Sequence, residues 1–211
     1  MIEFYTWGTP NGRKVSILLE ELGLDYRVHP IDITAGDQKS ADFVEISPNG
    51  RIPAIVDTDT GIRMMESGAI MLYLSKKAGG KLVPTEEKAY WQMMEWLMWQ
   101  MGGLGPMCGQ VHHFLRFNQG KAPYAEERYL TEAKRLYGVL DTALSDRSFV
   151  AGDYSIADIA IWPWISRFEW QTIDLEQYPN VKSWYHRIAD RPAVQKGYHI
   201  PKYVSDIPRS N

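Results

Sequence analysis

The chain has 211 residues, of which 45% are hydrophobic and 23% charged, a composition typical of an ordinary globular protein. Its formal net charge of −3, with acidic and basic residues interspersed, argues against nucleic acid and anionic membrane as main partners. The single cysteine, Cys108, excludes an internal disulfide, and no signal-like leader or long apolar run is evident, so we expect a cytoplasmic protein.

Short strands and helices alternate in the first part of the chain. Residues 2–5 alternate in polarity as a half-buried strand does, and apolar residues at helical spacing follow over 15–22. A second strand is predicted at 26–31. A strand, a helix and a strand within about 30 residues form a βαβ unit, which implies parallel strand pairing.

A second group of elements follows after an irregular polar stretch. A buried strand is predicted at 54–56, an antiparallel return at 62–65, and a helix from Ser67. The order βαβ then ββα is the thioredoxin-like arrangement. We therefore expect an α/β thioredoxin-like domain over residues 1–78, followed by a linker over residues 79–85.

Residues 86–211 show helical patterns and no strand pattern, which predicts an all-α C-terminal domain. Residues 90–101 are apolar on nearly every face, so this helix is expected to be buried in a core or against a partner. The glycine-rich stretch at 102–106 should kink or break it. Ser155 and Asp158 form a capping box, which predicts a helix start in the core.

Two short segments suit the recognition of a peptide. Pro53 stands directly before a strand, and a cis bond there would leave the backbone of Ile52 free to pair with an extended ligand. Glu66 and Ser67 open a helix, where a hydroxyl and free N–H groups can hold an anion. Together they suit a short peptide with a free carboxylate and a free amine, although each could serve only as a turn or a cap.

Thr9 and Asn11 lie at the mouth of the first helix, where thioredoxin-like folds place a reactive sulfur. The helix dipole and free N–H groups stabilise a thiolate at that position. Because no Cys-x-x-Cys motif occurs there, the sulfur must come from the ligand, with Thr9 and Asn11 as donors to it. The structural alternative is a turn residue at Thr9 and an N-cap at Asn11.

These motifs resemble those of the cytosolic glutathione transferases. Ile52-Pro53 before a strand and Glu66-Ser67 at the next helix match the glutathione-binding half of that family. Further segments resemble the nu class: Thr-Pro-Asn-Gly, Ile-Ser-Pro-Asn, Glu-Ser-Gly-Ala-Ile, and Gly-Gly-Leu-Gly-Pro-Met followed by Gly-Gln-x-His-His-Phe. The likeness runs from the first strand to about residue 190.

The resemblance implies a glutathione-dependent disulfide-bond reductase that binds two glutathione molecules or one glutathione disulfide in each site. It also implies a homodimer, a cis Ile52–Pro53 bond, and small-molecule disulfides or electrophiles as substrates. Thr9 and Asn11 would hold the sulfurs, and Arg128 would meet a carboxylate of the second glutathione. The residues expected to hold the first glutathione are Gln38, Arg51, Ile52, Pro53, Glu66 and Ser67.

Other interpretations stay open at this point. Tyr5 could activate the thiol, as tyrosines do in several transferase classes, and the protein would then be a conventional transferase that conjugates glutathione to electrophiles. A glutathione-transferase-like binding module without activity is a further alternative. His112 and His113 are adjacent, and adjacent helical residues diverge, so we do not expect a metal site. Cys108 is expected to be a packed core thiol.

Overall fold

A computed structural model describes residues 1–210. Its contacts divide the chain into two compact units. The first unit consists of Met1–Val83 together with Asp190–Ile207. The second unit consists of Pro84–Ala189 together with the residues from Pro208 onward. Across residues 1–210 no helix has both the length and the apolar character that crossing a membrane requires.

The first unit is built on a four-stranded sheet. Its strands are β1 (Ile2–Thr6), β2 (Tyr26–Pro30), β3 (Ala54–Asp57) and β4 (Ile62–Met65). They lie in the order β2-β1-β3-β4, with β1 parallel to β2 and antiparallel to β3. The strands and the helices between them confirm the predicted thioredoxin-like βαβ-ββα order.

Three helices follow the strands of the sheet in the sequence: α1 (Pro10–Leu22), α2 (Ala41–Ile46) and α3 (Ser67–Lys77). Thr9 caps the start of α1, because its side-chain oxygen accepts the N–H of Gly12. Gly23, at φ 66°, ends α1 in the left-handed conformation that glycine adopts without steric cost. Helix α1 packs against α3, and its residues from Gly12 to Leu19 are all buried.

The end of the chain returns to the first unit. Helix α9 (Pro192–Tyr198) packs on α1, and Gly197 lies so close that a Cβ added there would sit 2.7 Å from the Ile17 Cα atom. Arg191 forms a bidentate ion pair with Glu21. We call Asp190–Ile207 the C-terminal strap.

The second unit is helical. Its helices are α4 (Glu87–Trp99), α5 (Gly105–Val111), α6 (Pro123–Ala143), α7 (Ile156–Ile165) and α8 (Pro179–Ala189). The buried Asp158 carboxylate accepts the N–H groups of Ser155 and Val150 and the indole N–H of Trp184. The predicted capping box is therefore present at the start of α7, which is buried along its whole length.

The structure narrows two expectations for the second unit. The glycine-rich stretch does not break the helix, because Gln100–Leu104 continues it as a π-helical turn into α5. Helix α4 buries Met93 and Leu97, whereas Trp91 is 59% exposed and Met98 is 50% exposed. Helix α4 therefore carries large apolar side chains that the described part of the chain leaves exposed.

The division into units also differs from a simple split at the linker. Residues 86–211 were expected to form the helical domain, but the C-terminal strap belongs with the first unit. The reason is the packing of α9 on α1, which short-range sequence patterns do not encode.

Candidate functional site

Three segments of the first unit meet at the same end of strands β1, β3 and β4. Tyr5 at the end of β1 pairs with Ala54 at the start of β3, and Ala54 pairs with Met65 at the end of β4. The register therefore brings the loop before α1, the Ile52–Pro53 dipeptide and the Glu66–Ser67 dipeptide together. These are the three places where the sequence predicted ligand-binding residues.

Thr9 uses only part of its hydrogen-bonding capacity. Its hydroxyl oxygen accepts the N–H of Gly12 at 3.2 Å, which makes Thr9, and not Asn11, the N-cap of α1. Within residues 1–210 the hydroxyl proton has no acceptor, so it remains available for an anion at the helix mouth. Asn11 lies in the first turn of α1, half-buried.

The Ile52–Pro53 bond is cis, as the family resemblance implied. Pro53 and Ala54 are buried, and Ile52 is partly exposed. The backbone N–H and C=O of Ile52 make no hydrogen bond to any residue that the structure describes. An extended ligand lying along Ile52 could satisfy both groups, as in the addition of a strand to a sheet edge.

Glu66 and Ser67 form the start of α3. The Glu66 side chain, at the N-cap position, makes no capping hydrogen bond, and the first N–H groups of any helix lack a partner within the helix itself. Glu66 has φ 71° and ψ 108°, a conformation that is strained for a residue with a side chain. Its exposed carboxylate and the buried Ser67 hydroxyl thus stand beside a helix N-terminus that favours an anion.

Gln38 and Arg51 lie near one another through Gly50. A Cβ at Gly50 would be 3.2 Å from the Gln38 carbonyl oxygen, and Gly50 has φ 58°. The Gln38 side-chain oxygen is buried and has no hydrogen-bond partner among residues 1–210. The Arg51 side chain is exposed and forms no ion pair with another described residue. The Gln38 oxygen therefore keeps an unused acceptor, and the Arg51 guanidinium can donate to a polar ligand.

Lys14 is a residue of this site that the sequence did not single out. It is 1% exposed, and its ammonium donates to the Ser67 hydroxyl oxygen at 3.4 Å. Burial lowers its pKa to about 7, against a smaller opposing effect of the Glu66 carboxylate. No local pattern indicates this placement, because it depends on the packing of α1 against α3.

Tyr5 lies on the other face of β1 from Phe4. Its ring stacks on His29 at 4.5 Å between centroids and lies near Phe43 of α2. Burial raises the pKa of Tyr5, followed by a contribution from the Glu3 carboxylate. The ring thus has an evident packing role.

Arg128 belongs to the second unit, on α6. It lines an open cavity of about 680 Å³ that has aromatic, acidic and basic walls. The guanidinium is exposed, and its charge contributes to the lowered pKa of Glu132, after the larger effect of Arg135. The lining residues are Met107, Tyr124, Glu127, Arg128, Tyr129, Thr131 and Glu132.

Two further reactive side chains of the second unit, those of His112 and Cys108, are packed in its interior. His112 is buried against Trp164 and Trp170, and burial lowers its pKa to about 4. His113 is exposed, so the two histidines diverge. Among residues 1–210 no group of three or more His, Cys, Asp or Glu side chains is placed to hold a metal ion. Cys108 is fully buried, and burial raises the pKa of its thiol.

Comparison with known protein families identifies both parts of the chain. The model of the glutathione S-transferase N-terminal domain matches residues 9–77, and that of the C-terminal domain matches residues 88–192. The chain belongs to the glutathione S-transferase family. The N-terminal match contains every candidate residue of the first unit except Tyr5, and the C-terminal match contains Arg128.

Individual relatives within this family are similar over nearly the whole chain. The disulfide-bond oxidoreductase YfcG of Escherichia coli is 49% identical over 201 residues, which cover 92% of this chain and 93% of YfcG. The disulfide-bond oxidoreductase YghU of the same organism is 41% identical over 212 residues, covering 93% of this chain and 73% of YghU.

Solved structures agree with the fold. A glutathione transferase from Pseudomonas putida, with one glutathione disulfide bound per subunit, has a TM-score of 0.90 and 42% identity. It matches 95% of this chain and 91% of its own. A Burkholderia graminis transferase, with two glutathione molecules per subunit, has a TM-score of 0.88 and 39% identity over 96% of this chain and 89% of its own. The predicted fold and family resemblance are confirmed.

Proposed function

We propose that this protein is a glutathione-dependent disulfide-bond reductase that uses glutathione thiolates in place of a protein cysteine. The observation that carries the proposal is the helix mouth of α1, where a threonine hydroxyl with an unused proton occupies the place of a catalytic thiol. The similarity to two disulfide-bond oxidoreductases supports the same reaction. The simplest location for such a reductase is the reducing cytoplasm.

The first glutathione lies along Ile52, with its γ-glutamyl end at Glu66 and Ser67. The Ile52 backbone groups pair with the cysteinyl residue, as strands pair at a sheet edge. The Glu66 carboxylate takes the free amine, and the Ser67 hydroxyl with the α3 N-terminus takes the free carboxylate. Pro53 fixes the turn, while Gln38 and Arg51 bind the remaining polar groups of the ligand.

The thiol then lies at the α1 N-terminus, between Thr9 and Asn11. A free thiol has a pKa of about 8.5, and each unit of lowering corresponds to about 1.4 kcal/mol. One hydroxyl hydrogen bond from Thr9 and the helix terminus supply an effect of that size. The thiolate attacks one sulfur of a disulfide substrate, forms a mixed disulfide and releases the other sulfur as a thiolate.

A second glutathione completes the reaction. Its thiolate attacks the glutathione sulfur of the mixed disulfide, forming glutathione disulfide and releasing the second substrate thiolate, which takes up a proton. We propose that Arg128 binds a carboxylate of this second glutathione, since a guanidinium pairs with carboxylates bidentately. The cavity beside Arg128 and its exposed guanidinium support this role.

The test is glutathione-dependent reduction of a small model disulfide, run beside conjugation of an aryl halide. We expect strong reduction, weak conjugation, and a loss of at least tenfold in kcat/KM for reduction on Asn11→Ala. Cys108→Ala is the matched control and should stay within about twofold, because the buried thiol takes no part.

Other results would redirect the assignment. A loss of less than tenfold on Asn11→Ala argues against the role of that residue. Strong conjugation that is sensitive to Tyr5→Phe indicates a conventional transferase. Absence of both activities together with absence of glutathione binding leaves a non-enzymatic module.

We further propose that the protein is a homodimer, with the exposed apolar side of α4 in the interface. Trp91 and Met98 are large apolar side chains exposed seven residues apart, and therefore on the same side of α4, where a second copy of the chain could cover both. Sedimentation velocity should give twice the chain mass of 24.2 kDa, and Trp91→Glu combined with Met98→Glu should shift the protein to monomer. A wild-type protein that sediments as a monomer at micromolar concentration contradicts this proposal.

A further inference from the structure

The cavity that contains Arg128 has one continuous wall on α6. Four of its lining residues follow the i, i+3, i+4, i+7 spacing of a single helix face: Tyr124, Glu127, Arg128 and Thr131. Met107 of α5 also lines the cavity, whose volume is about 680 Å³. An aromatic ring, a carboxylate, a guanidinium and a hydroxyl are therefore presented along about two turns of one helix.

Two opposite charges on this wall have no partner. The third charged lining residue, Glu132, is held bidentately by Arg135, at 2.7 and 2.8 Å. Glu127 and Arg128 are both exposed, and their side chains form no ion pair or hydrogen bond with each other or with any other residue among 1–210. Adjacent helical residues diverge, so these two charges stand at the two edges of the wall, apart but facing the same cavity.

We propose that this cavity recognises the γ-glutamyl end of the second glutathione, and that Glu127 determines its orientation. That end carries an ammonium and a carboxylate on one carbon atom. A carboxylate only accepts hydrogen bonds and a guanidinium only donates them, so Glu127 takes the ammonium and Arg128 the carboxylate. The glycyl end has a carboxylate without an amine and would leave Glu127 unpaired. This inference rests on the proposed glutathione function and deepens it.

The sign of the effect of Glu127 separates this role from that of a solvated surface charge. Glutathione has two carboxylates and one ammonium, so its net charge is negative. A carboxylate that does not touch the ligand repels it, and removal of that carboxylate strengthens binding. If Glu127 holds the ammonium, its removal weakens binding instead.

The experiment isolates the second glutathione. The full-length protein receives the mixed disulfide of glutathione and β-mercaptoethanol, and an added thiolate attacks the glutathione sulfur and releases the mercaptoethanol thiolate, which takes up a proton. The added thiols are glutathione, γ-glutamylcysteine, cysteinylglycine and N-acetylglutathione, each rate being divided by the uncatalysed rate of the same thiol. We expect γ-glutamylcysteine to stay within about threefold of glutathione in kcat/KM. Cysteinylglycine and N-acetylglutathione should fall at least about fivefold.

Glu127→Gln tests the residue itself. It should raise the KM for glutathione about fivefold and change kcat less than about twofold, because the contact is remote from the sulfur and equal in the ground and transition states. With N-acetylglutathione the same variant should cause no loss, since the partner of Glu127 is already missing. Glu169→Gln removes an exposed carboxylate of the same unit that does not line the cavity, and it should match the wild type.

The possible failures can be told apart. An unchanged or lower KM for glutathione in Glu127→Gln overturns the role of Glu127. Retained activity with cysteinylglycine together with loss of activity with γ-glutamylcysteine shows that the glycyl end is recognised, which overturns the orientation. A wild-type protein that does not catalyse the exchange with glutathione overturns the proposed function as well. The wild-type thiol series decides the orientation even if a variant folds poorly.

Discussion

The burial of Lys14 lowers the stability of the folded protein by an amount that depends on pH. Burial lowers the pKa of Lys14 from 10.5 to about 7, so between these values the unfolded chain binds more protons than the folded one. The free energy of unfolding should therefore rise with pH over this window, by up to about 1.4 kcal/mol per unit. The destabilisation of the folded protein by Lys14 is largest below pH 7 and disappears above about pH 10.

We expect Lys14→Met to remove this pH dependence. The free energy of unfolding of the ligand-free variant, relative to that of the wild type, should be about 3 kcal/mol higher at pH 6.5 than at pH 9.5. Urea unfolding at the two pH values measures this difference in the free energy of unfolding. Lys76→Met, which removes an exposed lysine in the last turn of α3, is the control. A stability difference that is the same at both pH values shows that Lys14 is not held at a lowered pKa.

Residues with a local signature could be named as candidates from the sequence, and Lys14 could not. Thr9, Pro53 and Ser67 stand at element boundaries, where side-chain chemistry and chain position are both legible in the sequence. The contact of Lys14 with Ser67 joins residues 53 positions apart. Such a contact follows from packing, so a lysine within a helix gives no sign of it.

At the scale of elements, the start of α1 depends on a glycine. A Cβ at Gly12 would lie 2.3 Å from the Trp7 carbonyl oxygen and 2.5 Å from the Thr6 hydroxyl. Because real Cβ atoms do not approach so closely, any side chain must displace the loop that carries Thr9.

Gly12→Ala should therefore reduce kcat/KM for disulfide reduction at least tenfold, since small displacements of positioning groups are costly. Gly138→Ala on α6 is the matched control: apart from the adjoining backbone of α6 itself, no described heavy atom lies within 4 Å of the added Cβ, so activity should persist. The control should also be stabilised by about 0.5–1 kcal/mol. Unchanged activity in Gly12→Ala, measured beside this control, contradicts the prediction.

The strands and main helices were predictable because their periodicity is strong, whereas the sequence left two details of the helical unit open. The glycines at 102–103 do not end the helix, because packing against neighbouring elements can keep a glycine-containing segment helical. Here a π-helical turn over Gln100–Leu104 joins α4 to α5. The exposed side of α4 shows that apolar periodicity indicates burial without indicating what provides it.

At the scale of the whole molecule, the C-terminal strap packs on α1, the helix whose N-terminus carries Thr9 and Asn11. The Gly197 carbonyl accepts the Ser16 hydroxyl at 2.7 Å, and the Arg13 guanidinium lies 3.5 Å from the centre of the Tyr198 ring. Sequence patterns gave no reason to join residues 190–207 to the first unit, since this strap is short and its contacts are distant in sequence.

We expect Gly197→Ala to destabilise the protein by about 1–3 kcal/mol, because the added Cβ meets the Ile17 backbone at 2.7–2.8 Å. Thermal unfolding measures the change, and Gly138→Ala again provides the comparison. A melting temperature equal to that of the wild type would show that α9 and α1 are less closely packed than described.

The return of the strap also bears on how the protein is made. Synthesis proceeds from the N-terminus, and domains usually fold in that order as they leave the ribosome. Here the sheet and α1 emerge early, yet the surface around Ile17 stays uncovered until α9 has been translated, some 180 residues later. The first unit is therefore begun first and finished last, and a nascent chain stalled within the helical unit should be unusually sensitive to proteases.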